Sequence, residues 1–452
     1  MYIRDTIAAV ATAPGTGGVA IIRISGNQAR EYSQRVFRSR SAQSQPRQMV
    51  FGQFVTATGD VVDYGYSVYF SAPASFTGED VVEFHCHGGP TILRRLLREL
   101  FDRGCRPAEP GEFSKRAFVN GKLDLVQAEA IMDMVSARSE EALTIALSQY
   151  GGRFSKKIND ISQRLLQALA QIEVVIDYPD MELDSTLACS LREELAYVQA
   201  ELQALAGGFD QARLYREGLS TAILGSPNVG KSSLLNLLAG EDRAIVTDIP
   251  GTTRDVLEVP VNIRGIPLML MDTAGIRETD DLVEQLGVER ARRAAVSAQL
   301  VLLVLDGSRS LYPQELALLR DLGLAKTLAV VNKTDLDLEL DLLSLTNAGL
   351  DYQLISVTRG LGVEELKDKI QGMFVRGEVS VRDLLVTNER HYRWIVKASQ
   401  DCQTALVGLS SLPADLVAMD IRSAWEGLGE VTGKVWTEDL LDCIFGNFCL
   451  GK

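Results

Sequence analysis

Gly225-Ser-Pro-Asn-Val-Gly-Lys-Ser-Ser233 decides how this chain is read. The stretch fits G-x-x-x-x-G-K-[ST], a pattern that carries meaning only between a strand and a helix. Both neighbours are present: Leu219-Ser-Thr-Ala-Ile-Leu224 reads as a short buried strand and Ser233-Leu-Leu-Asn-Leu-Leu-Ala239 as an apolar helix. Glycines let successive backbone N–H groups face one anion, and the helix N-terminus adds positive potential. In such a loop, with Gly230 at its turn, Lys231 reaches the β- and γ-phosphates and Ser232 ligates Mg²⁺, with Ser233 beside it. A nucleoside triphosphate site is expected.

Outward from the loop, residues ~217–376 alternate apolar strands with helices. The strands are Ala222–Leu224, Leu268–Met271, Leu300–Leu305, Leu328–Val331 and Gln353–Ile355, a pattern that predicts a parallel α/β sheet. Asp272-Thr-Ala-Gly275 follows one strand, placing a carboxylate near Mg²⁺ and a glycine N–H near the γ-phosphate. Asn332-Lys-Thr-Asp335 follows another. Its Asp335 can accept two hydrogen bonds from the N1–H and 2-amino group of guanine, and adenine offers no such pair, so GTP is selected; Lys333 stands between them. Ser356-Val-Thr358 sits where GTPases buttress the base. In Thr247-Asp-Ile-Pro-Gly-Thr-Thr-Arg-Asp255, Thr253 is the candidate to complete the Mg²⁺ shell while the γ-phosphate is present, giving an order–disorder switch on hydrolysis. Ile276 follows the Asp272–Gly275 motif where Ras-like GTPases place a water-orienting Gln. A hydrophobic side chain cannot orient water, so hydrolysis needs other machinery.

The flanks have a different texture. Before ~118, short β-rich runs (Gly18–Ile24, Tyr64–Phe70, Val81–Phe84) alternate with helical patterns, including an amphipathic segment Pro90–Phe101 carrying Arg94, Arg95 and Arg98. Long helical periodicity then covers Leu123–Tyr150, Phe154–Ile176 and Leu187–Ala206, and returns over Asp383–Val407 and Leu412–Leu428. The expected organisation is an α+β unit over 1–118, a helical domain split between 119–216 and 377–452, and a nucleotide domain over 217–376 inserted between its halves.

At 452 residues with 46% hydrophobic and 23% charged residues, the chain has room for several packed cores. Six scattered cysteines without a CxxC pair, and an N-terminus without an apolar leader, read as reduced cytoplasmic thiols. No run approaches the roughly 18 to 20 apolar residues of a membrane span. A net charge of −14 argues against a generally basic nucleic-acid binder. The balance is uneven, however: residues 1–120 carry +3 and the remainder −17, so RNA contact would need a local basic face. His85-Cys86-His87 resembles a zinc cluster but lacks further suitably spaced ligands, and Gly88-Gly89 points instead to a backbone turn.

The two ends assign the chain to a family. It ends in Cys449-Leu-Gly-Lys452 after the apolar Asp439-Leu-Leu-Asp-Cys-Ile-Phe445, and begins with Asp5-Thr-Ile7, Gly17–Gly26, Ser75-Phe-Thr-Gly-Glu-Asp80, His87-Gly-Gly-Pro90, Pro110-Gly-Glu-Phe-Ser114 and Lys122–Glu129. Over its whole length the chain resembles the tRNA-modifying GTPase family MnmE, also called TrmE. The resemblance implies an N-terminal α+β folate-binding domain, a helical domain and an inserted Ras-like P-loop GTPase domain, as a homodimer formed through the N-terminal domain. It implies a tetrahydrofolate derivative (5,10-methylene- or 5-formyl-) as one-carbon donor, with Arg23, Glu83, Lys122 and Lys452 at the matching contact positions. A basic side chain suits the folate's carboxylates and Glu83 its pterin N–H donors.

The family works with tRNA and a flavoprotein, MnmG, in a heterotetramer or larger complex. FAD is carried by that partner, and together they install an aminomethyl or carboxymethylaminomethyl group at carbon 5 of the wobble uridine. Members with Asn228 in the loop and the Gly251–Asp255 switch use K⁺, held by Asn228 and by carbonyls near Thr247, Ile249 and Thr252, in place of an arginine finger that contributes about 10³–10⁵-fold. Glu284 is the implied water-orienting residue, against a plain reading as a solvated helix-start glutamate. Cys449 reads either as a thiol catalyst or as inert packing. Val229 and Gly446-Asn447 depart from common family residues without touching a proposed catalytic atom. A ribosome-assembly GTPase, which shares the loop Asn, is the competing class, but no basic RNA-binding module accompanies the nucleotide domain.

Overall fold

The structure, a computed structural model, describes residues 5–39, 45–177, 185–241, 259–270, 295–312, 315, 326–375, 381 and 386–452. The first sheet comprises β1 (Ile7–Val10), β2 (Gly17–Ser25), β3 (Phe37–Arg38), β4 (Val50–Val55), β5 (Val61–Phe70), β6 (Val81–Gly88) and β7 (Arg106–Pro107), in the order β3-β4-β5-β6-β2-β1-β7. Helices α1 (Ala29–Val36) and α2 (Pro90–Phe101) cover one face, where Ile22, Ile24, Phe54, Phe84, Leu96 and Leu100 form the core. The opposite face leaves Phe51, Tyr64 and Tyr66 exposed, the alternation expected of an antiparallel sheet covered on one side. The strand β6 extends past the expected Val81–Phe84 through His85-Cys86-His87, and the turn expected at Gly88-Gly89 is where it gives way to α2. The strand runs through to Gly88, so its two-residue period buries Cys86 among the core and sends both histidines to the other face. Those three side chains cannot share one ion. Among the described residues no group of three His, Cys, Asp or Glu could hold a metal.

Helices α3 (Glu112–Val119), α4 (Leu125–Ser136), α5 (Glu140–Tyr150), α6 (Arg153–Asp177), α7 (Ser185–Gly207) and α8 (Phe209–Glu217) follow. The single helical run expected over 123–150 is two helices. Asp124 opens α4 through a reciprocal capping box with Gln127, and Ser139 Oγ accepts from Ala142 N at 3.1 Å to open α5. Each cap supplies a helix start that periodicity alone does not mark.

The second sheet contains β8 (Leu219–Leu224), β9 (Val259–Ile263), β10 (Ile266–Leu270), β11 (Leu300–Asp306), β12 (Thr327–Asn332) and β13 (Asp351–Leu354), ordered β13-β12-β11-β8-β10-β9. Helices α9 (Lys231–Glu241), α10 (Leu342–Asn347) and α11 (Val363–Phe374) belong to the same unit. Every pairing is parallel except β9–β10, which corrects the wholly parallel sheet expected from the strand pattern. The two strands form an edge hairpin whose loop is Arg264-Gly265, with φ of 51° and 86°. Two consecutive positive φ values are what a tight two-residue hairpin loop requires.

Three further helices, α12 (Glu389–Gly408), α13 (Ala414–Thr432) and α14 (Glu438–Phe445), complete the chain. Phe154, Ile158 and Leu165 of α6 and Leu195 of α7 share one core with Ile395 of α12 and Ile421 of α13. Helices from either side of the nucleotide unit are therefore packed as one body. No helix among the described residues is long and apolar enough to cross a membrane.

Candidate functional site

The loop between β8 and α9 has positive φ at Gly225 (143°), Asn228 (62°) and Gly230 (101°). A Cβ at Gly225 would stand 2.2 Å from Val304 O, and one at Gly230 would stand 2.3 Å from Asn332 Nδ2. Both glycines are fixed by close approach as well as by backbone conformation. Lys231 Nζ folds back to donate to Gly225 O at 2.8 Å and Ser226 O at 2.7 Å. Burial lowers the pKa of its ammonium, so an anion offered to the loop meets a partly desolvated cation. Ser232 and Ser233 are exposed at the start of α9.

Asn332, buried at the end of β12, joins three loops. Its Nδ2 donates to Val229 O at 2.9 Å, and its Oδ1 accepts from Val357 N at 3.1 Å. Lys333 has φ of 66° and donates from Nζ to Asp306 Oδ2 at 2.6 Å. Burial alone would raise the Asp306 carboxyl, but the hydrogen bonds from Lys333 and Ser308 outweigh it and hold the pKa below the usual range. Asp335 Oδ1 accepts from Ser356 Oγ at 2.7 Å, and that bond keeps its carboxylate ionised. The structure thus brings Asn228, Gly230, Lys231, Ser232, Ser233, Asn332, Lys333, Asp335 and Ser356 to the loops following β8, β12 and β13. Such an edge, at the carboxyl ends of parallel strands, is where α/β sheets bind ligands. Asp306, at the end of β11, is an addition that sequence reading missed; an acidic residue closing a buried apolar strand was its only signal. Asp272, Gly275, Ile276, Thr247, Ile249, Thr252, Thr253 and Glu284 lie outside the described residues.

A second constellation joins the two chain ends. Arg23 and Glu83 face each other across β2 and β6, with Nε to Oε1 at 2.9 Å. The Arg23 guanidinium also stands 5.4 Å from the Phe76 ring centroid and 5.6 Å from that of Phe113. The C-terminal tail closes over this place: Phe445 and Phe448 pack with Phe118 and Leu125, and Phe113 N donates to Lys452 O at 3.1 Å. Gly451, with φ of 90°, lies so close that a Cβ there would be 2.0 Å from Val10 O. Burial lowers the Lys452 ammonium pKa, against an opposing contribution from Cys449 and with a reinforcing one from the Arg23 charge. Lys122 touches the loop that carries Phe76, donating to Pro73 O at 3.1 Å. Cys449 is exposed.

Beneath these groups lies Arg116, 1% exposed and absent from the sequence reading. Its guanidinium donates to Asp5 Oδ1 at 2.6 Å, Glu79 Oε2 at 3.0 Å and Glu112 Oε1 at 2.9 Å. Arg106 binds Asp5 and Glu112 as well. Burial opposes ionisation of Asp5 and Glu112, and the two arginines reverse it, leaving both pKa values lowered.

A third polar cluster sits where the chain enters and leaves the nucleotide unit. Arg216, three residues before β8, donates from Nε to Asp133 Oδ1 at 2.9 Å and from Nη1 to Thr387 O at 3.2 Å. Next to it Glu129 accepts from Arg390 Nη2 at 2.9 Å and lies 2.7 Å from His391 Nε2. Burial alone would raise Glu129; the hydrogen bonds from His391 and Arg390, with the Arg390 charge, bring it down. Burial pushes the His391 imidazole below its usual value, and Nδ1 has no partner among the described residues. The neutral ring with Nε2–H donating to Glu129 leaves no buried N–H unpaired.

Comparison with known proteins agrees over the full length. A family model described as "GTP-binding protein TrmE N-terminus" matches residues 6–122, and one described as "MnmE helical domain" matches residues 125–449. A protein named "tRNA modification GTPase MnmE" from Clostridioides difficile (strain 630) is 43% identical over 460 residues, covering 100% of both chains. Its namesake from Lactiplantibacillus plantarum is 44% identical over 456 residues, covering 99% of this chain and 98% of its own. Among solved structures, the G domain of the T. maritima FeoB iron transporter is 26% identical and covers 34% of this chain and 98% of its own, with a TM-score of 0.25. At that score the overlap carries no argument.

Proposed function

The chain belongs to the MnmE (TrmE) family of tRNA modification GTPases, and on that premise we propose that it hydrolyses GTP to drive modification of carbon 5 of wobble uridine in tRNA. The observation that carries the reading is the docking of the tail, where Phe113 N donates to Lys452 O, beside Arg23, whose guanidinium stands near the Phe113 ring and binds Glu83.

GTP occupies the edge after β8, β12 and β13. Lys231 exchanges the carbonyls of Gly225 and Ser226 for the β- and γ-phosphates, and Ser232, with Thr253 and Asp272, meets the Mg²⁺ that neutralises phosphate charge. Gly275 N–H serves the γ-phosphate. Asp335 offers guanine a carboxylate that Ser356 already orients. K⁺, held by Asn228 and the carbonyls near Thr247, Ile249 and Thr252, takes the place of an arginine finger, and Glu284 orients water. The donor set at the other site suits a folate: Arg23, Lys122 and Lys452 offer cations to its carboxylates and Glu83 an acceptor to its pterin ring. The tetrahydrofolate derivative supplies the one-carbon unit there, and FAD is supplied by a flavoprotein partner. Cys449, exposed three residues from Lys452, is free to act in that chemistry.

The proposed domains are 1–118, 119–216 with 377–452, and 217–376; the core shared by α6, α7, α12 and α13 supports the split helical domain. The exposed aromatics of β4 and β5 support a homodimer formed through the N-terminal sheet. Mass spectrometry of wobble uridine in tRNA from cells lacking the gene tests the reading: loss of the carbon-5 substituent is expected, and its retention would overturn the proposal. Potassium dependence has its own measurement. GTP turnover in K⁺ should exceed that in Na⁺ at equal ionic strength, and equal rates would remove the cation from the account.

A further inference from the structure

Arg94, Arg95 and Arg98 are all exposed on α2, while Leu96 and Leu100 of the same helix are buried against the sheet. Spacings of one and four residues keep the three guanidinium groups on one outer stripe. Five arginines of the N-terminal unit have carboxylate partners: Arg23 has Glu83, Arg35 has Glu31, Arg103 has Glu99, Arg106 has Asp5 and Glu112, and Arg116 has three. The three on the stripe have none among the described residues, and Arg94 Nε makes only a 3.3 Å contact to Pro90 O of its own helix. The sole acid of α2, Glu99, is already occupied by Arg103 and by Ala57 N at 3.1 Å.

The helix therefore projects an uncompensated positive face along its middle and last turn. Charge complementarity points to the partner: residues 1–120 carry +3 in a chain whose remainder carries −17, so a polyanion is drawn to this end of the molecule and repelled elsewhere. Arginine's planar fork suits phosphate oxygens. From Arg94 to Arg98 the helix rises about 6 Å, a span that meets roughly two phosphates of one strand.

We propose that the outer face of α2 binds the phosphate backbone of the tRNA through Arg94, Arg95 and Arg98. The proposal rests on the tRNA-modifying reading above and adds where the RNA is held. Phosphate contacts position the RNA without reading its sequence, so this face sets register and the chemistry is selected elsewhere.

Fluorescence anisotropy of full-length protein with a labelled tRNA transcript, titrated between 50 and 200 mM salt, tests it; these limits are about the range over which phosphate contacts weaken strongly. R94Q/R95Q/R98Q should bind at least roughly tenfold more weakly at the low-salt end, with a salt slope shallower by about 2 to 3. R94K/R95K/R98K should keep most of the slope. Thermal unfolding and GTP turnover of both variants should match the parent, because the side chains are exposed and far in sequence from the nucleotide loop. Unchanged tRNA affinity and slope in the Gln variant would overturn the proposal. So would intact tRNA affinity with lost binding of an acidic protein partner or of vesicles containing anionic lipid. Either of those results leaves the wobble-uridine reading standing, since only the mass spectrometry of tRNA from cells lacking the gene can remove that.

Discussion

The nucleotide edge and the site at the chain ends are built in opposite ways. The first gathers described residues 225 to 356, each on or beside a loop that leaves a parallel strand, so the order of strands alone brings them together. The second needs Arg23 and Glu83 from neighbouring antiparallel strands, Phe113 from α3 and Lys452 from the last position of the chain. One is local to a single unit; the other exists only when the tail has docked. Two supports so different should fail separately, and substitutions can test whether they do.

The largest effect is expected from Arg116→Met. It takes one cationic partner from Asp5, Glu79 and Glu112 and puts an apolar side chain among them, and breaking a buried ion network of this kind costs about 3–5 kcal/mol, here nearer the lower figure because Asp5 and Glu112 keep Arg106 and Asp5 is partly exposed. Chemical denaturation should show the N-terminal unit losing stability while GTP binding is retained; a single common transition would mean the two regions are one cooperative body. Asn332→Ala comes next. It leaves Val229 O and Val357 N without their partner, a loss of about 1–3 kcal/mol for each group that stays buried, and GTP affinity should fall while the docking of the tail does not change.

Acid should act on the junction between the regions. The folded His391 has a lowered pKa, so the unfolded chain binds the extra proton and stability falls as pH drops below the ordinary imidazole range. Glu129, held below the ordinary carboxyl value, adds its own contribution above the unfolded carboxyl value and loses it as pH falls from there through the lowered folded value. Melting temperature should therefore decline in two steps on acidification, and His391→Gln should remove the upper one. The smallest effect is expected from Ser356→Ala, which takes one donor from an exposed carboxylate: GTP affinity should fall a few-fold by calorimetry, with folding unchanged.

The contrast also explains what could be read in advance. Lys231, Asn332 and Asp335 were legible because motif, strand and loop are neighbours in the sequence. Asp306 was not, because its role comes from Lys333 just after the adjacent strand. The residues at the chain ends were legible only by resemblance; nothing in the local pattern around Lys452 says that Val10 and Phe113 wait for it. Arg116 escaped altogether, since an arginine at helical spacing from Glu112 reads as a surface pair until Asp5 and Glu79 meet it in the fold and it is buried. The strand hidden in His85-Cys86-His87 was masked by the glycines after it, and the β9–β10 hairpin by the absence of a usual Asn-Gly at Arg264-Gly265.

The central claim is that GTP chemistry and uridine chemistry occupy separate places in one chain. Removing Cys449–Lys452 and measuring both GTP turnover in K⁺ and wobble-uridine modification tests it most directly. The account predicts turnover close to that of the intact protein with modification abolished. Modification that survives the deletion would contradict it.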